Sequence, residues 1–521
     1  MNNYLIAPDT DIYLLKVPFE MDEENVLSFA NATAQSTYFL SLPKLYLENA
    51  TYQRKDGVLR YPAAFDDLLL YNYCMYRNTA FSNKWFYAYI EDMKFSSSNM
   101  TEITLRTDVW QTWQFSITYH KMFVAREHVN NDTIGAHTVP EGLETGDYIS
   151  TNKVIDSNLT DLCVILGCTE APIGTDVSGG IYGGVYSGLG YQRFFIDTAQ
   201  ERSDLADFIN SFADNGRADA LKSLFMAPKA IAVNIPKGSF GTGGSWGNYV
   251  TYNLTYTRPS KVGNNFTPKN NKLFTFPYMY LLANNNNGIT KVYKYELFSS
   301  GSLTFQVDGS PCVGCSIKMS PKNYMGITVN NNESISCGKF PTCSWASDEY
   351  TNWLTQNAVN ANVGIAGALV SGAIGGAAAG PIGAAGGAII GGGAAIANYL
   401  LQRYQKSFTP DSANGNITLG DINTADGTNT FILTNMTIKN EYAQIIDDYF
   451  SAYGYQVNSY KTPNITGRTY WNYVKTQNCN ITGEIPQKDL QELKKMFDSG
   501  LTIWHDATKF LDYSQNNTIV S

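Results

Sequence analysis

The chain has 521 residues, 16% of them charged and 13% aromatic, with 35 tyrosines and a net charge of −9. That length exceeds what one hydrophobic core usually supports, so three or four domains are expected. The acidic balance argues against a general nucleic-acid binder, which carries a basic face, although an acidic wall would let DNA pass without sticking to it. The composition leans to strands, because Tyr, Phe, Thr and Val favour the pleated surface and the many Asn residues suit turns. The start, MNNYLIAPDTDIYLLKVPF, lacks a basic flank and a long apolar core, so no export signal is read there.

Residues 1–150 read as one β-rich domain. Asp11 to Phe19 is expected as a strand, Glu20 to Asn31 as a polar turn, and Ser36 to Leu40 as a second strand. FDDLLLY (Phe65 to Tyr71) and WFYAYI (Trp85 to Ile90) are apolar enough for the core, and Met93 to Asn99 reads as a polar turn. TEITLRTD alternates, placing Ile103 and Leu105 on one face. Two segments follow that no catalytic logic explains. TDVWQTW contains Thr107, Asp108, Trp110 and Trp113, and its tryptophans read as core or interface anchors. FVAREHV contains Phe123, Arg126, Glu127 and His128, and its charged cluster reads as a salt-bridged surface or subunit contact.

Residues 151–345 read as one or two inserted β-rich lobes, with helical pieces at ERSDLADFINSFADN and ADALKSLFM. GSFGTGGSWG (Gly238 to Gly247) lacks the helix start and the Lys-Ser/Thr ending of a phosphate loop and is read as a plain loop. Residues 346–407 form the least ordinary part. VGIAGALVSGAIGGAAAGPIGAAGGAIIGGGAAIANYLL, from Val363 to Leu401, holds 12 Gly, 12 Ala and 11 of Val, Ile and Leu. No charge occurs from Tyr350 to Gln402. Gly380-Pro381 divides the stretch into two arms of about 20 residues, each of membrane-spanning length. A helical hairpin is expected, with Val363, Ile365, Leu369, Val370 and Ile374 on one arm and Ile382, Ile389, Ile390, Ile396, Leu400 and Leu401 on the other. One copy would insert weakly, since each Val, Ile or Leu contributes only about −0.3 to −0.6 kcal/mol. Several copies side by side would do better, and glycines recur four apart at Gly372, Gly376 and Gly380 and at Gly383, Gly387 and Gly391. A buried packing segment and a linker are the competing readings. Residues 408–521 return to strands, with QKDLQELKKMFDS (Gln487 to Ser499) as a helix capped by Gly500.

Catalytic and cofactor signatures do not appear. Cys312-x-x-Cys315 with Cys337 and Cys343 is too loosely spaced for a good zinc site. His120, His128, His137 and His505 show no metal-type spacing. Asp66-Asp67 and Asp447-Asp448, read on strands, would point to opposite faces and so form no acid/base pair. Neither a cofactor nor a metal is expected.

TDVWQTW, FVAREHV, the aromatic strand WFYAYI before them, the isolated Gly/Ala stretch and the closing TIWH (Thr502 to His505) together resemble the tail knob, or distal tube, proteins of small short-tailed phages that infect Gram-positive bacteria. The resemblance is strongest in the first domain and does not reach the middle lobes. It implies a mainly β, multidomain chain with β-barrel-like tube domains near both ends, in 1–150 and 408–521. It implies a homohexameric tube joined to other tail proteins, with the hydrophobic loops held in the lumen until infection. On contact the loops would enter the host membrane lipid, and phage DNA would pass without specific binding. A pore-forming toxin, or an adhesin whose Gly/Ala segment only packs subunits, are the rival readings.

Overall fold

The computed structural model describes residues 10–50, 57–172, 180–182, 185–187, 190–217, 220–233, 235, 250–309, 316–339 and 430–520. In chain order the first part contains β1 (Thr10–Leu15), β2 (Asn25–Leu27), α1 (Ala32–Ser41), β3 (Lys44–Ala50), β4 (Val58–Tyr61), α2 (Phe65–Leu68), β5 (Tyr73–Asn78), β6 (Trp85–Ser97), β7 (Met100–Thr107), α3 (Val109–Trp113), β8 (Thr118–Tyr119) and β9 (Met122–Glu127). The middle contains β10 (Tyr148–Ile155), β11 (Leu162–Cys168), β12 (Gly180–Tyr182), β13 (Val185–Ser187), β14 (Gly190–Phe194), α4 (Ala199–Asp214), β15 (Leu221–Pro228), β16 (Val250–Thr257), β17 (Met279–Asn284), β18 (Thr290–Tyr293), β19 (Ser302–Gly309), β20 (Ser316–Lys322), β21 (Ile335–Lys339) and β22 (Ile432–Ile438). The last part contains α5 (Asn440–Tyr453), β23 (Tyr455–Lys461), β24 (Trp471–Gln477), β25 (Ile481–Thr482), α6 (Gln487–Ser499) and β26 (Leu501–Trp504). The fold is mainly β, as the composition implies.

The described residues form two units. The first comprises 10–144, 268–273 and 441–520. It holds a six-stranded sheet in the order β3-β1-β5-β6-β7-β4 and a five-stranded sheet in the order β2-β26-β24-β9-β23. The second sheet mixes strands from both ends of the chain. Only β2 and β26 pair in parallel; the other pairs are antiparallel. Ile12, Leu14, Leu59, Ile103 and Leu105 on the six-stranded sheet share one core with Trp110, Trp113, Leu493 and Phe497. The opposite face, through Leu15, Tyr73, Met75 and Tyr87, packs with Phe39, Trp471 and Trp504. The period-two alternation of β1, β5 and β6 thus feeds two apolar layers, one on each face, and β7 contributes to the first of them.

Local chemistry explains most elements, including those that depart from expectation. Ser36 to Leu40 lies in a helix, α1, where a strand was expected. The Asn31 side chain caps it, accepting from the Ala34 amide at 2.9 Å, and Phe39 turns into the core. Met93 to Asn99 is not a turn until its end, because β6 continues to Ser97. Only Leu68 of FDDLLLY is buried, while Leu69 and Leu70 are 58% and 68% exposed. The second helical piece expected before Met226 is instead β15, paired along β11. Asp66 and Asp447 sit on helices α2 and α5 rather than on strands. The expected helix from Gln487 to Ser499 and its cap are present: Gly500 has φ +109, and its amide donates to Met496 O at 3.0 Å.

The second unit comprises the described residues within 145–267 and 274–440. Its sheets run β10-β22-β17-β18, β14-β11-β15 and β16-β19-β20-β21, with a separate β12-β13 hairpin. β11 is buried along its whole length, and α4 covers its sheet through the Phe194–Phe208 ring contact at 5.0 Å. β22 lies between β10 and β17. Its buried Asn435 donates to Thr151 Oγ1 at 2.9 Å and accepts from Tyr295 Oη at 2.8 Å.

Candidate functional site

The two segments singled out in the sequence occupy neighbouring positions in the first unit, one at the end of β7 and the other along β9. Thr107 closes β7 opposite Ala88. Asp108 then caps α3, accepting from the Gln111 amide at 2.9 Å and from Tyr73 Oη at 2.9 Å. Burial pushes the Asp108 carboxyl up, and these donors pull it back down. Trp110 Nε1 donates to Leu27 O at 2.8 Å, and Trp113 Nε1 donates to Asp489 Oδ2 on α6 at 2.7 Å. Both tryptophans are buried, as expected of anchors. The ammonium of Lys84 lies 3.5 Å from the centre of the Trp113 ring.

Phe123, Arg126, Glu127 and His128 lie on or just after β9, where β23 and β24 flank them. The charged cluster is not on the surface: Glu127 and His128 are 0% and 2% exposed. β9 is central in its sheet, so its ends are covered by both neighbours. Glu127 pairs with Lys461 and accepts from the Asn464 amide at 2.9 Å. Arg126 pairs with Glu141, donates to Gly454 O at 2.7 Å, and lies 4.9 Å from the centre of the Tyr449 ring. His128 Nδ1 accepts from the Tyr473 amide at 2.8 Å, and its Nε2 faces Ser451 O at 3.1 Å. A backbone donor on one side and a carbonyl on the other define the neutral Nε2–H tautomer. Burial, aided by Arg468, lowers this imidazole to about 3.

A strap formed by residues 268–273 lies against α5 and β23 within the first unit, and nothing near it in sequence announces its role. Asp447 on α5 accepts from the Lys269 amide at 2.9 Å and from the amide and side chain of Asn270 at 3.0 and 2.9 Å. Asp132 accepts from the Asn271 amide at 2.9 Å and from Tyr455 Oη at 2.6 Å. Glu141 pairs with Lys272, whose ammonium lies 5.2 Å from the centre of the Tyr455 ring. Three carboxylates, Asp132 and Glu141 between β9 and β10 and Asp447 on α5, thus fasten one six-residue segment. Sequence reasoning missed Asp132, Glu141, Asn270 and Lys272, because their partners lie more than 100 positions away. Buried charges need such partners to be tolerated. These groups hold backbone donors and cations, and the geometry serves cohesion between chain segments.

Among the described residues no group of three or more His, Cys, Asp or Glu could hold a metal ion. Cys337 is buried, and Cys312, Cys315 and Cys343 lie outside the described residues. The Gly238 to Gly247 loop and every candidate of the Val363 to Leu401 stretch also lie outside them. Among the described residues no helix is long and apolar enough to cross a membrane.

Comparison with known proteins defines the class. The C-terminal domain family of tail knob protein gp9 of Bacillus phage phi29 matches residues 245–518, more than half of the chain. The family of the caudoviral major tail protein N-terminus matches residues 9–118. Tail knob protein gp9 of Bacillus phage B103 is 26% identical, with 99% of this chain and 100% of that protein covered. The phi29 counterpart is 24% identical over the same shares. The solved tail knob protein gp12 of bacteriophage C1 has the same fold at a TM-score of 0.61 and 14% identity, covering 98% of this chain and 100% of that one. Fold and matches define a structural tail component of a phage virion. Within that class, the chain belongs to the tail knob protein gp9 family.

Proposed function

We propose that copies of this chain assemble as a hexameric distal tube of a short phage tail, and that Val363 to Leu401 leaves the tube to enter the host membrane and open a path for DNA. One observation carries this reading: the uncharged Gly/Ala-rich stretch from Tyr350 to Gln402 is membrane-length twice over. It lies between β21 and β22 of one unit, so a released segment would stay tethered at both ends. Its small residues recur at four-residue spacing, which suits close packing of helices from several copies. The net charge of −9 disfavours retention of DNA in transit.

The test is dye leakage from liposomes incubated with purified oligomer, compared with a Val363–Leu401 deletion. Leakage that vanishes with the deletion, while assembly persists, supports insertion. A deletion that destroys the oligomer, with no leakage from the intact protein, makes the stretch a packing element and the protein an adhesin or passive conduit. Ile374→Asp and Ile390→Asp should each oppose insertion by about 2.5–3.5 kcal/mol per copy at mid-bilayer. Unchanged leakage in both variants would count against the membrane role.

A further inference from the structure

Sheet edges expose unpaired backbone groups, and natural proteins protect them with charge, proline, bulges or shortness. The described sheets follow that rule with one exception. Among edge strands of four or more residues, β3 has Lys44, β4 Arg60, β10 Lys153, β18 Lys291, β21 Lys339 and β23 Lys461, and β14 and β15 each contain a basic residue. β16, VTYNLTYT, has no charge, no proline and no glycine. It pairs residue for residue with β19, from Val250↔Gly309 to Thr257↔Ser302, without a bulge. Its outer edge has no backbone partner among the described residues.

The strand is also anchored on its inner face. Leu254 and Tyr256 are buried on the inner face. Tyr252 Oη donates to Asp156 Oδ2 at 2.6 Å and Tyr256 Oη to Asn152 O at 2.8 Å. Thr251, Asn253, Thr255 and Thr257 alternate on the exposed face. The sequence reads almost the same in both directions about Leu254: Thr251 mirrors Thr257, Tyr252 mirrors Tyr256, and Asn253 mirrors Thr255.

We propose that β16 pairs antiparallel with β16 of a second copy, across a two-fold axis at Leu254, joining the two sheets into one. Across that axis Thr251 lies opposite Thr257, Tyr252 opposite Tyr256 and Asn253 opposite Thr255 of the second copy, so the near-mirror sequence makes the isologous pairing self-complementary. Tyr faces Tyr and Thr faces Thr, pairs that stabilise antiparallel sheets, and no like charges oppose each other. The main-chain ladder supplies the affinity, as in other strand-addition contacts. A two-fold contact cannot lie within a purely cyclic ring, so it joins chains of two rings or two unassembled chains. It does not depend on the membrane reading.

The proposed register is tested by cysteine pairing in the full-length chain. In the pairing Asn253 lies opposite Thr255 of the other copy, within disulfide reach, whereas each is diagonal to its own counterpart, about 7–8 Å away. Mild oxidation of the Asn253→Cys/Thr255→Cys double variant should give a reducible two-chain species whose cross-linked peptides join positions 253 and 255. Asn253→Cys alone, Thr255→Cys alone and the parent chain should lack that linkage. Absence of a 253–255 linkage in the double variant, or equal cross-linking in the single variants, overturns the proposal. All substituted side chains are exposed on one sheet face, so the variants retain the core.

Discussion

Trp113 and Asp489 are 376 positions apart, and the indole Nε1 of one donates to the carboxylate of the other at 2.7 Å. The contact ties α3 to α6, and the two helices share the core that lies against the six-stranded sheet. Through it the end of the chain completes a structure begun near its start. Trp113→Phe keeps most of the apolar contact and removes the donor. The expected cost is about 1–3 kcal/mol, because a buried acceptor loses one of its partners. Urea unfolding followed by tryptophan fluorescence should show the midpoint shift, and an unchanged midpoint would make the bond irrelevant to stability.

Gly454 ends α5 at φ +65, and a Cβ there would lie 2.2 Å from Glu127 O. Both the backbone conformation and the space require glycine. Gly454→Ala should destabilise the first unit by more than about 3 kcal/mol or leave it unfolded. Proteolysis of the purified variant checks this: cleavage should appear in residues 441–520 while the parent resists. A variant as resistant as the parent would show that β9 can move aside.

Two buried histidines contribute to the acid response. Burial lowers His128 to about 3 and His505 to about 4, both below the free value of 6.5. The unfolded chain therefore binds protons that the folded chain refuses. Their stability contribution is complete above about pH 6.5 and falls as the pH drops toward 4, by up to about 1.4 kcal/mol per unit for each group. Asp108 and Asp447, both raised by burial, act in the opposite direction at the acid end. Denaturation midpoints should fall from pH 6.5 to 4.5, and His128→Gln should flatten the slope. An identical slope in the variant would assign the acid response to other groups.

Tyr87 Oη is buried and has no hydrogen-bond partner among the described residues, in the layer containing Phe39, Trp471 and Trp504. An unsatisfied buried hydroxyl costs about 1–3 kcal/mol. Tyr87→Phe should leave thermal stability unchanged or raise it by about 1 kcal/mol, read as a shift of the unfolding transition. A clear loss would mean that a bound water satisfies the hydroxyl.

The helix from Gln487 to Ser499 was legible because a 3.6-residue apolar stripe and a terminal glycine act locally. α1 was not, because STYFL suits a strand as well as a helix, and the capping side chain of Asn31 decides between them. Likewise Arg126-Glu127-His128 looks like a surface cluster in any short window. Its burial follows from strands β23 and β24, which arrive more than 300 positions later.

Sequence alone determined the strand-rich composition, the absence of charge from Tyr350 to Gln402 and the resemblance to tail knob proteins, since each depends only on residue type and order. Tertiary structure decided that β9 pairs with strands from the other end of the chain, that three carboxylates fasten the 268–273 strap, and that β16 is left as an uncharged edge. Pairing register and burial depend on which distant segments meet, and no local pattern of residues specifies that.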